Sequence, residues 1–326
     1  MKKILVTGAS GFIGKFLCKN LLKSGRPFCA SVRSDDLIPP KTSIQYLSVG
    51  EINKQTNWRE ALIDTDCIIH CAGRAHVMSK INANEKKNFY SVNIGGVEQL
   101  AEQAAKAGVR KIIFLSSIKV NGENTLKKNI KAGLNKKKKY IFSPNDKPNP
   151  KDVYAVSKLK AENILWEISS RTNLEIVVIR LPLVYGWGVK GNLARLIKLI
   201  KSGIPLPFST ISNNRSMIGI DNLYDLLMQC VDNPKANGKT FLASDDDDVS
   251  TPMLIKLIAS SIEKKAYLFP LPIFLLKIMG SIFGKKQEIN RLVGSLRIDI
   301  SYTKEVLNWK PPISVKEGIR RMIKGQ

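Results

Sequence analysis

A strand, a glycine turn and a helix follow one another at the start of the chain, in the stretch KKILVTGASGFIGKFL. Residues 4–7 are apolar or β-branched, as in a short buried strand, and apolar residues recur at helical spacing from Phe12 onward. Gly8, Gly11 and Gly14 lie at three-residue spacing across the turn. Such a turn directs backbone N–H groups and the positive end of a helix dipole at one point. An ordinary glycine-rich turn is the alternative, but the order of the elements favours a site for the pyrophosphate of a dinucleotide.

Strand-like and helix-like segments alternate through the rest of the first half. PFCASVRS, IQYLSVG, DCIIHCAG and KIIFLSS have the composition of strands, and DVYAVSKLKAENILWEISSR, a helical pattern, precedes the strand LEIVVIRLPLVYG. This alternation is typical of a doubly wound parallel sheet. We therefore predict a Rossmann-type α/β fold whose NAD(P)-binding domain spans residues 1–182. Residues 183–326 are predicted to form a smaller C-terminal substrate-binding domain, with some segments returning to the sheet.

Composition limits the class of protein. With 326 residues and 44% hydrophobic content, the chain is long enough for two such domains and too apolar to be disordered. The N-terminal residues lead directly into a strand without an apolar signal segment, so we expect a cytoplasmic protein. The five cysteines lie in apolar patterns and the two histidines are too few for a cluster, so we predict reduced core thiols and no metal site.

The net charge of +25 raises the question of an anionic partner. Much of the excess lies in the loop-like insertion LKKNIKAGLNKKKKYIFSPNDKP, which lacks aromatic interleaving and any nucleic-acid-binding motif. A solvated surface therefore explains the charge better than nucleic acid or an anionic membrane does. The same field would attract an anionic small-molecule substrate.

Two stretches of the second half are conspicuous. YLFPLPIFLLKIMGSIFGKK is the most apolar, but prolines and Lys277 interrupt it before the ~20 residues that a membrane span needs. We predict a core helix without membrane contact, with monotopic membrane contact as the alternative. The acidic run at 245–248 predicts a solvated loop, followed by a helix that Ser250 or Thr251 caps with Pro252 in its first turn.

Polar side chains with a chemical role follow the fifth strand and occupy the helix after the insertion. Tyr154 and Lys158 are four residues apart, so they share one face of that helix. An ammonium beside a tyrosine favours the phenolate and lowers a pKa that is ordinarily near ~10, which suits proton transfer. Ser116 and Ser117 end the strand KIIFLSS, at the sheet edge where open α/β folds bind ligands.

The motifs TGASGFIG, CAG, SVNIGG, SS followed by VNG, YAVSK, VIRLPLVYG and LNWKPPISVKEGIRR occur in an order that spans nearly the whole chain. Together they resemble the extended short-chain dehydrogenase/reductase family, in its nucleotide-sugar epimerase, dehydratase and reductase branch. The resemblance implies a catalytic triad of Ser117, Tyr154 and Lys158, in which Tyr154 exchanges a proton with the C4 oxygen of the sugar. It also implies that hydride passes between the nicotinamide and C4 and that Lys158 holds the nicotinamide ribose. For the assembly, it implies a homodimer in which two long helices of each copy pair.

The same resemblance assigns binding residues. The implied cofactor-binding residues are Gly8, Gly11, Phe12, Ile13, Gly14, Arg33, Ala72, Gly73, Asn93, Tyr154 and Lys158. The implied substrate-binding residues are Ser116, Asn192, Arg215 and Arg291. Arginine suits a diphosphate because its fork donates two hydrogen bonds and supplies charge. A helix cap is the alternative role for Asn192.

Two departures from the epimerase pattern bear on cofactor and reaction. Val32 and Arg33 stand where epimerases usually have an aspartate that binds the adenosine ribose. Because an arginine suits a 2′-phosphate, we predict that the cofactor is NADP(H). The alternative is NAD(H), with Arg33 as a solvated surface residue. Leu183 replaces a polar substrate contact. The resemblance is greatest to bacterial 4-ketoreductases that make UDP-N-acetylquinovosamine. It predicts reduction of a UDP-4-keto-6-deoxy-N-acetylhexosamine for cell-surface polysaccharide; the alternatives are a UDP-glucose or UDP-N-acetylglucosamine 4-epimerase and, remotely, a non-catalytic binding protein.

Overall fold

The computed structural model of the chain describes residues 3–75, 83–125 and 140–325. His76 and most of the lysine-rich insertion, at 126–139, lie outside the described residues. The described strands are β1 Lys3–Thr7, β2 Phe28–Val32, β3 Tyr46–Ser48, β4 Thr65–His70, β5 Lys111–Ser117, β6 Glu175–Leu181, β7 Leu183–Tyr185, β8 Met217–Gly219 and β9 Lys239–Leu242. The described α-helices are α1 Phe12–Lys23, α2 Ala83–Tyr90, α3 Gly96–Lys106, α4 Val153–Ser170, α5 Gly191–Lys201, α6 Ile220–Asp232, α7 Thr251–Ser261, α8 Ile273–Ile282, α9 Lys286–Val293, α10 Ser301–Leu307 and α11 Val315–Lys324.

Seven strands form one parallel sheet in the order β3-β2-β1-β4-β5-β6-β9. The chain proceeds from β1 to one edge and then returns to β4 on the other side of β1, so the strand order reverses between β1 and β4. The crevice beyond the carboxyl ends of strands at such a reversal is where open α/β sheets bind ligands. The predicted Rossmann-type fold is confirmed, and it places the glycine turn after β1 at this point.

Both faces of the sheet are covered because its central strands contain continuous apolar runs. Along β5, Ile113 belongs to a core cluster with α1 and α6, whereas its neighbours Ile112 and Phe114 belong to a second cluster with α3 and α4. Successive residues of a strand point to opposite faces, so a continuous apolar run requires helices on both sides. The continuous runs of the sequence are therefore the direct cause of the three-layer arrangement.

The C-terminal half contributes to two cores. The strands β7 and β8 pair in a separate two-stranded sheet, and α5, α7 and α11 form a third apolar cluster through residues such as Leu193, Ile255 and Ile319. The strand β9 pairs with β6 in the main sheet, and α6 packs on that sheet through Leu226 and Leu227. Segments beyond residue 183 thus join the main sheet.

The acidic run is a loop, as predicted, but only Asp246 and Asp247 are exposed to solvent. The carboxylate of Asp245 is buried and accepts hydrogen bonds from the Gly219 N–H at 2.9 Å, the Asn222 amide at 2.7 Å and the Tyr185 hydroxyl at 2.6 Å. Asp248 forms an ion pair with Arg297 at 2.7 Å. Asp245 therefore joins β7, β8 and α6. The predicted helix start is confirmed, because the Ser250 hydroxyl accepts from the Met253 N–H and Pro252 lies in the first turn of α7.

The most apolar stretch is not a core helix. Within α8 only Leu276 and Gly280 are buried, and large apolar side chains on the rest of the helix are exposed. That prediction was wrong because an apolar composition does not tell whether a neighbouring element covers the helix. Every helix in the described part of the chain is too short or too polar for a membrane-spanning segment.

Candidate active site

The glycine turn after β1 is closely packed against the segment that follows β4. Gly8 has a φ of +66°, and a Cβ atom there would lie 2.7 Å from the Ala72 Cα. A Cβ atom on Gly14 would lie 2.3 Å from the Gly8 carbonyl oxygen. Gly11 immediately precedes α1, and no side chain caps that helix end. The first turn of α1, with Phe12 and Ile13, therefore leaves backbone N–H groups toward the crevice, which fits a pyrophosphate.

The segment after β4 is fixed by side chains rather than by sheet pairing. Thr7 is hydrogen-bonded to His70 at 2.9 Å and to the Ala72 N–H at 3.3 Å, and burial lowers the pKa of His70 to about 3, so this imidazole is neutral. A Cβ atom on Gly73 would lie 3.4 Å from the Lys158 Nζ atom, so the main chain here passes next to the predicted catalytic ammonium.

Asn93 joins this segment to α4. It lies in a π-helical turn, Ser91–Gly95, between α2 and α3, and its side chain is buried. Its amide oxygen accepts from the Arg74 N–H at 2.7 Å, and its amide nitrogen donates to the Arg74 carbonyl at 3.0 Å and to the Ser157 hydroxyl at 3.0 Å. One side chain thereby sets the distance between the segment after β4 and the helix that carries Tyr154 and Lys158.

The three predicted catalytic residues lie together at the carboxyl edge of the sheet. The Ser117 side chain, at the end of β5, is close enough to the Tyr154 hydroxyl to lower its pKa. Lys158, one turn further along α4, is buried and donates to the Leu115 carbonyl at 2.8 Å. Its Nζ atom also lies 4.4 Å from the centroid of the Phe114 ring. A hydroxyl, a phenol and an ammonium thus surround one position between β5 and α4.

The pKa of Tyr154 differs from the sequence-based expectation. Burial raises the pKa of Tyr154 to about 12, the Ser117 hydrogen bond lowers it in part, and the Asp152 charge raises it further. The expected depression by Lys158 is absent, because that ammonium is directed at the Leu115 carbonyl and is itself buried. Burial lowers the pKa of Lys158 to about 8, against the opposing charge of Glu162. Both groups are therefore mainly protonated at neutral pH in this structure.

Asp152 fixes the start of α4 and was not singled out from the sequence. Its carboxylate accepts from the Ala155 N–H at 2.8 Å and forms an ion pair with Lys119. Burial alone would raise the pKa of Asp152, but the bonds from Lys119 and Ala155 and the charge of Arg291 outweigh it and lower the pKa. The cap positions Tyr154, which lies in the first turn of α4. The order Asp, two residues, Ala is an N-cap signal that the sequence carried.

Ser116 is placed differently from its predicted role as a substrate contact. Its buried hydroxyl donates to the carboxylate of Glu162, which also forms an ion pair with Arg180 at 2.7 Å. Arg180 donates in addition to the Asn121 side-chain oxygen at 3.0 Å. These four buried groups bind one another beneath the triad, so the Ser116 hydroxyl is engaged within the protein. Glu162 lies four residues after Lys158, and this spacing was the available signal for it.

Two of the predicted substrate residues lie together. The Arg215 guanidinium donates to the main-chain carbonyls of Arg291 at 2.7 Å and Gly294 at 3.1 Å. Burial and the charge of Arg291 lower the pKa of Arg215. The Arg215 and Arg291 side chains therefore repel each other, and an anion bound between them would relieve this repulsion. Asn192 is exposed in the first turn of α5, and the residue that caps this helix is Lys190.

Arg33 follows β2 at the same edge of the sheet as the glycine turn. Its guanidinium is 62% exposed and lies 3.4 Å from the Glu51 carboxylate, which is itself exposed. Val32, the last residue of β2, is buried. An exposed pair of this kind contributes little and exchanges readily with solvent or with another anion.

Comparison with known proteins decides the family. A profile described as the NAD dependent epimerase/dehydratase family matches residues 4–243, most of the chain. The chain belongs to this family. It is 42% identical over 322 residues to a UDP-glucose 4-epimerase of Vibrio cholerae, an alignment that covers 98% of this chain and 94% of that one. It is 25% identical over 296 residues to the N-acetyl-alpha-D-glucosaminyl-diphospho-ditrans,octacis-undecaprenol 4-epimerase of Escherichia coli O157:H7, covering 88% and 82%.

Solved structures of two nucleotide-sugar epimerases share the fold of this chain. The UDP-glucuronic acid 4-epimerase from Bacillus cereus in complex with NAD superposes with a TM-score of 0.76 at 22% identity, covering 99% of this chain and 97% of that one. The UDP-glucose 4-epimerase of Thermotoga maritima with UDP-glucose gives 0.72 at 21% identity, with the same coverages. At this identity the likeness concerns the fold. The prediction of a family in the epimerase, dehydratase and reductase branch is confirmed.

Proposed function

We propose that this epimerase/dehydratase uses NAD to interconvert UDP-sugars that differ in configuration at C4. The observation that carries the proposal is the meeting of Ser117, Tyr154 and Lys158 beside the glycine turn, at the reversal of strand order. The Vibrio cholerae relative, similar over 98% of this chain, favours epimerisation over the 4-ketoreduction that the sequence patterns favoured. The proposal therefore takes the alternative of the sequence analysis as the first candidate.

The dinucleotide would lie across the reversal between β1 and β4. Gly8, Gly11 and Gly14 would hold the pyrophosphate, because a Cβ atom at Gly8 or Gly14 would overlap backbone atoms of the turn. Gly73 and Lys158 would line the nicotinamide ribose. When bound, the nicotinamide supplies reversible hydride exchange with C4 of the sugar.

The residues of the triad supply the proton chemistry. In its minor phenolate form Tyr154 accepts the proton of the C4 hydroxyl as that carbon is oxidised to a ketone, and the phenol so formed returns the proton to the same oxygen when the ketone is reduced. Ser117, close to the Tyr154 hydroxyl, would donate a hydrogen bond to the C4 oxygen and hold it within reach. Lys158 carries positive charge near neutral pH and, directed at the Leu115 carbonyl, would hold the nicotinamide ribose rather than lower the pKa of Tyr154.

The C-terminal half would bind the nucleotide portion of the substrate. Arg215 and Arg291 lie on adjoining segments, and the charge of Arg291 also acts on Asp152 at the start of α4. A diphosphate between them would relieve their mutual repulsion while the sugar extends toward Tyr154. We assign the substrate-binding domain to residues 183–326 on this basis. Pairing of two copies through α3 and α4 stays a prediction.

Reduction of a UDP-4-keto-6-deoxy-N-acetylhexosamine is the second candidate, and two observations favour it. Arg33 is exposed at the corner where a 2′-phosphate would lie, with only a weak partner in Glu51. Leu183, where many epimerases have a polar residue, is 40% exposed at the start of β7. A reductase exchanges its cofactor with solvent in every turnover, whereas an epimerase keeps it bound.

The two candidates differ in a simple experiment. In the first measurement, the purified chain is denatured and the released nicotinamide cofactor is quantified. In the second, the native protein is incubated with UDP-glucose or UDP-N-acetylglucosamine, and formation of the C4 epimer is followed by NMR. We expect near-stoichiometric NAD and formation of a C4 epimer without added cofactor. An empty site, no epimer and consumption of NADPH with a UDP-4-keto-6-deoxy sugar would establish the reductase instead. No turnover of any of these sugars would refute both candidates.

A further inference from the structure

We propose that the exposed face of α8 docks this protein on an anionic membrane surface. The α8 face consists of Phe274, Ile278, Met279, Ile282 and Phe283. It belongs to the C-terminal half and plays no part in the proposed chemistry. The proposal concerns attachment to one leaflet, not a segment that crosses the bilayer.

The apolar residues of this face are arranged for contact with one surface. Phe274, Ile278 and Ile282 follow at four-residue spacing, so their side chains form a single stripe along the helix. Their exposed fractions are 63%, 51% and 73%. Met279 and Phe283, 45% and 70% exposed, continue the face beside that stripe. Exposed apolar side chains scattered singly are ordinary, but five on one short helix and its C-terminal cap mark an interaction surface.

The helix is held so that this face stays outward. Leu276 is buried, and Gly280 allows a close approach of α9, because a Cβ atom there would lie 2.6 Å from the Ile289 side chain. The α8 face is therefore a rigid feature of a packed helix pair. The preceding loop adds Tyr267 and Phe269, which are 57% and 42% exposed.

Charge identifies the occupant as an anionic surface. The residues from 264 to 290 contain five cationic side chains and one carboxylate: Lys264, Lys265, Lys277, Lys285 and Lys286 against Glu288. Lys277 lies within α8 itself, and Lys285 and Lys286 follow Phe283 after two and three residues. Apolar side chains that enter the headgroup region, with lysines around them, are the combination that binds anionic lipid.

A second copy of the chain fits this face less well. Two copies that meet through α8 would bring the same lysines together, and like charges in an interface oppose association. The net charge of +25 adds repulsion between copies and attraction toward an anionic bilayer at long range. The membrane surface satisfies both the apolar and the cationic features at once.

The test measures binding of the full chain to sedimented vesicles. Vesicles of phosphatidylcholine alone are compared with vesicles that contain phosphatidylglycerol. The wild-type chain is expected to bind the anionic vesicles and to bind phosphatidylcholine weakly. Phe274→Ser combined with Ile282→Ser should lower the partition coefficient about tenfold or more, since two large side chains no longer enter the headgroup region.

Matched variants control for exposed apolar area and for net charge. Leu22→Ser with Ile63→Ser removes two exposed apolar side chains elsewhere and should leave binding unchanged. Lys277→Gln with Lys286→Gln should weaken binding about tenfold, whereas Lys19→Gln with Lys106→Gln, the same change in net charge on α1 and α3, should have a much smaller effect.

Four outcomes would overturn the proposal. The first is a wild-type chain that does not bind anionic vesicles, and the second is an α8 variant that binds as the wild type does. The third comes from light scattering without vesicles: a stable dimer that the α8 variant dissociates would assign the face to a second copy. Equal losses from both lysine pairs would attribute binding to net charge alone and would count against the α8 face.

Discussion

Lys158 is a buried ammonium whose contacts are a carbonyl oxygen and an aromatic ring. It donates to Leu115 at 2.8 Å and lies over Phe114, and Glu162 is the carboxylate that favours its charge. Burial lowers its pKa to about 8, from an ordinary value of 10.5. A cation in such a position destabilises the folded state, so its presence is explained by its place beside Tyr154 rather than by stability.

Replacing Lys158 should therefore stabilise the fold while it removes activity. Because the folded pKa is lowered, the destabilisation is complete below pH 8 and fades as the pH rises toward 10.5, where the unfolded chain also loses the proton. Lys158→Met should raise the free energy of unfolding by about 3 kcal/mol at pH 7, and the gain should shrink near pH 10. Urea unfolding at both pH values measures this. Lys160→Met, on the exposed side of the same helix, should give no such gain, and an equal gain at both pH values would contradict the pKa argument.

Arg33 decides cofactor choice in the second candidate and is a surface residue in the first. For an epimerase, Arg33→Ala should leave the affinity for NAD unchanged, because the exposed pair with Glu51 contributes little. For a reductase it should raise the KM for NADPH about tenfold or more and leave that for NADH unmoved, since a charge-assisted bond to the 2′-phosphate is lost. Titration of the wild type and of Arg33→Ala with each cofactor tests both expectations. An equal loss of affinity for NAD(H) and NADP(H) would exclude any specific role for Arg33.

At the scale of elements, the turn between β1 and α1 depends on glycine for two separate reasons. Gly8 and Gly25 have nearly the same positive φ, +66° and +65°. A Cβ atom at Gly8 would lie 2.7 Å from the Ala72 Cα, whereas one at Gly25 would meet nothing within 4 Å. The two positions therefore separate backbone conformation from close packing.

The matched substitutions should differ in both stability and binding. Gly25→Ala should destabilise the protein by about 1 kcal/mol, the effect of a left-handed backbone alone, and leave NAD binding intact. Gly8→Ala should destabilise it by about 2–4 kcal/mol and weaken NAD binding, because the turn must move away from Ala72. Urea unfolding and cofactor titration measure the two effects. Equal losses for the two variants would show that the packing against Ala72 is unimportant.

The elements themselves were predictable because their signals are local. The strand, glycine turn and helix are contiguous, and the apolar runs of β4, β5 and β6 follow from composition over five to seven residues. The buried network of Ser116, Glu162 and Arg180 was not predictable, because its members are far apart in the chain. Asp245 was assigned to solvent for the same reason: its partners on Gly219 and Tyr185 come from distant segments.

The candidate site was predictable to the extent that a resemblance supplied it. The helical spacing of Tyr154 and Lys158 placed both on α4, and the strand pattern placed Ser117 at the sheet edge. The raised pKa of Tyr154 was not foreseen, because the direction of the Lys158 ammonium depends on the Leu115 carbonyl. The α8 face was mistaken for core because coverage by a neighbour is a tertiary property that periodicity does not report.

At the scale of the whole molecule, the site is assembled from both halves of the chain. Arg291 follows residue 183 by more than a hundred positions, yet its charge acts on Asp152 at the start of α4 and on Arg215. The return of β9 to the main sheet fixes the C-terminal half against the nucleotide-binding half. This arrangement predicts one diphosphate site shared between the halves.

Removal of one of these cations should weaken every ligand that carries the diphosphate. Arg291→Ala should lower the affinity for UDP and for UDP-glucose by the same factor, about tenfold, because the lost charge-assisted contact is common to both. Arg291 is exposed, so the fold should be unaffected. Calorimetry with both ligands measures the factor, and Arg171→Ala, at the far end of α4, is the control. Unchanged affinity for UDP would exclude the diphosphate role of Arg291.

The proton transfer by Tyr154 is the central claim, and its most direct test compares Tyr154→Phe with Tyr90→Phe, a tyrosine of α2 outside the triad. The measurement is the rate of C4 epimer formation from UDP-glucose and UDP-N-acetylglucosamine by NMR, with the NAD content determined on the same preparations. Loss of the hydroxyl in Tyr154→Phe should slow turnover by about 10²- to 10⁴-fold at unchanged NAD content, while Tyr90→Phe keeps wild-type turnover. Near-normal turnover by Tyr154→Phe would contradict the account.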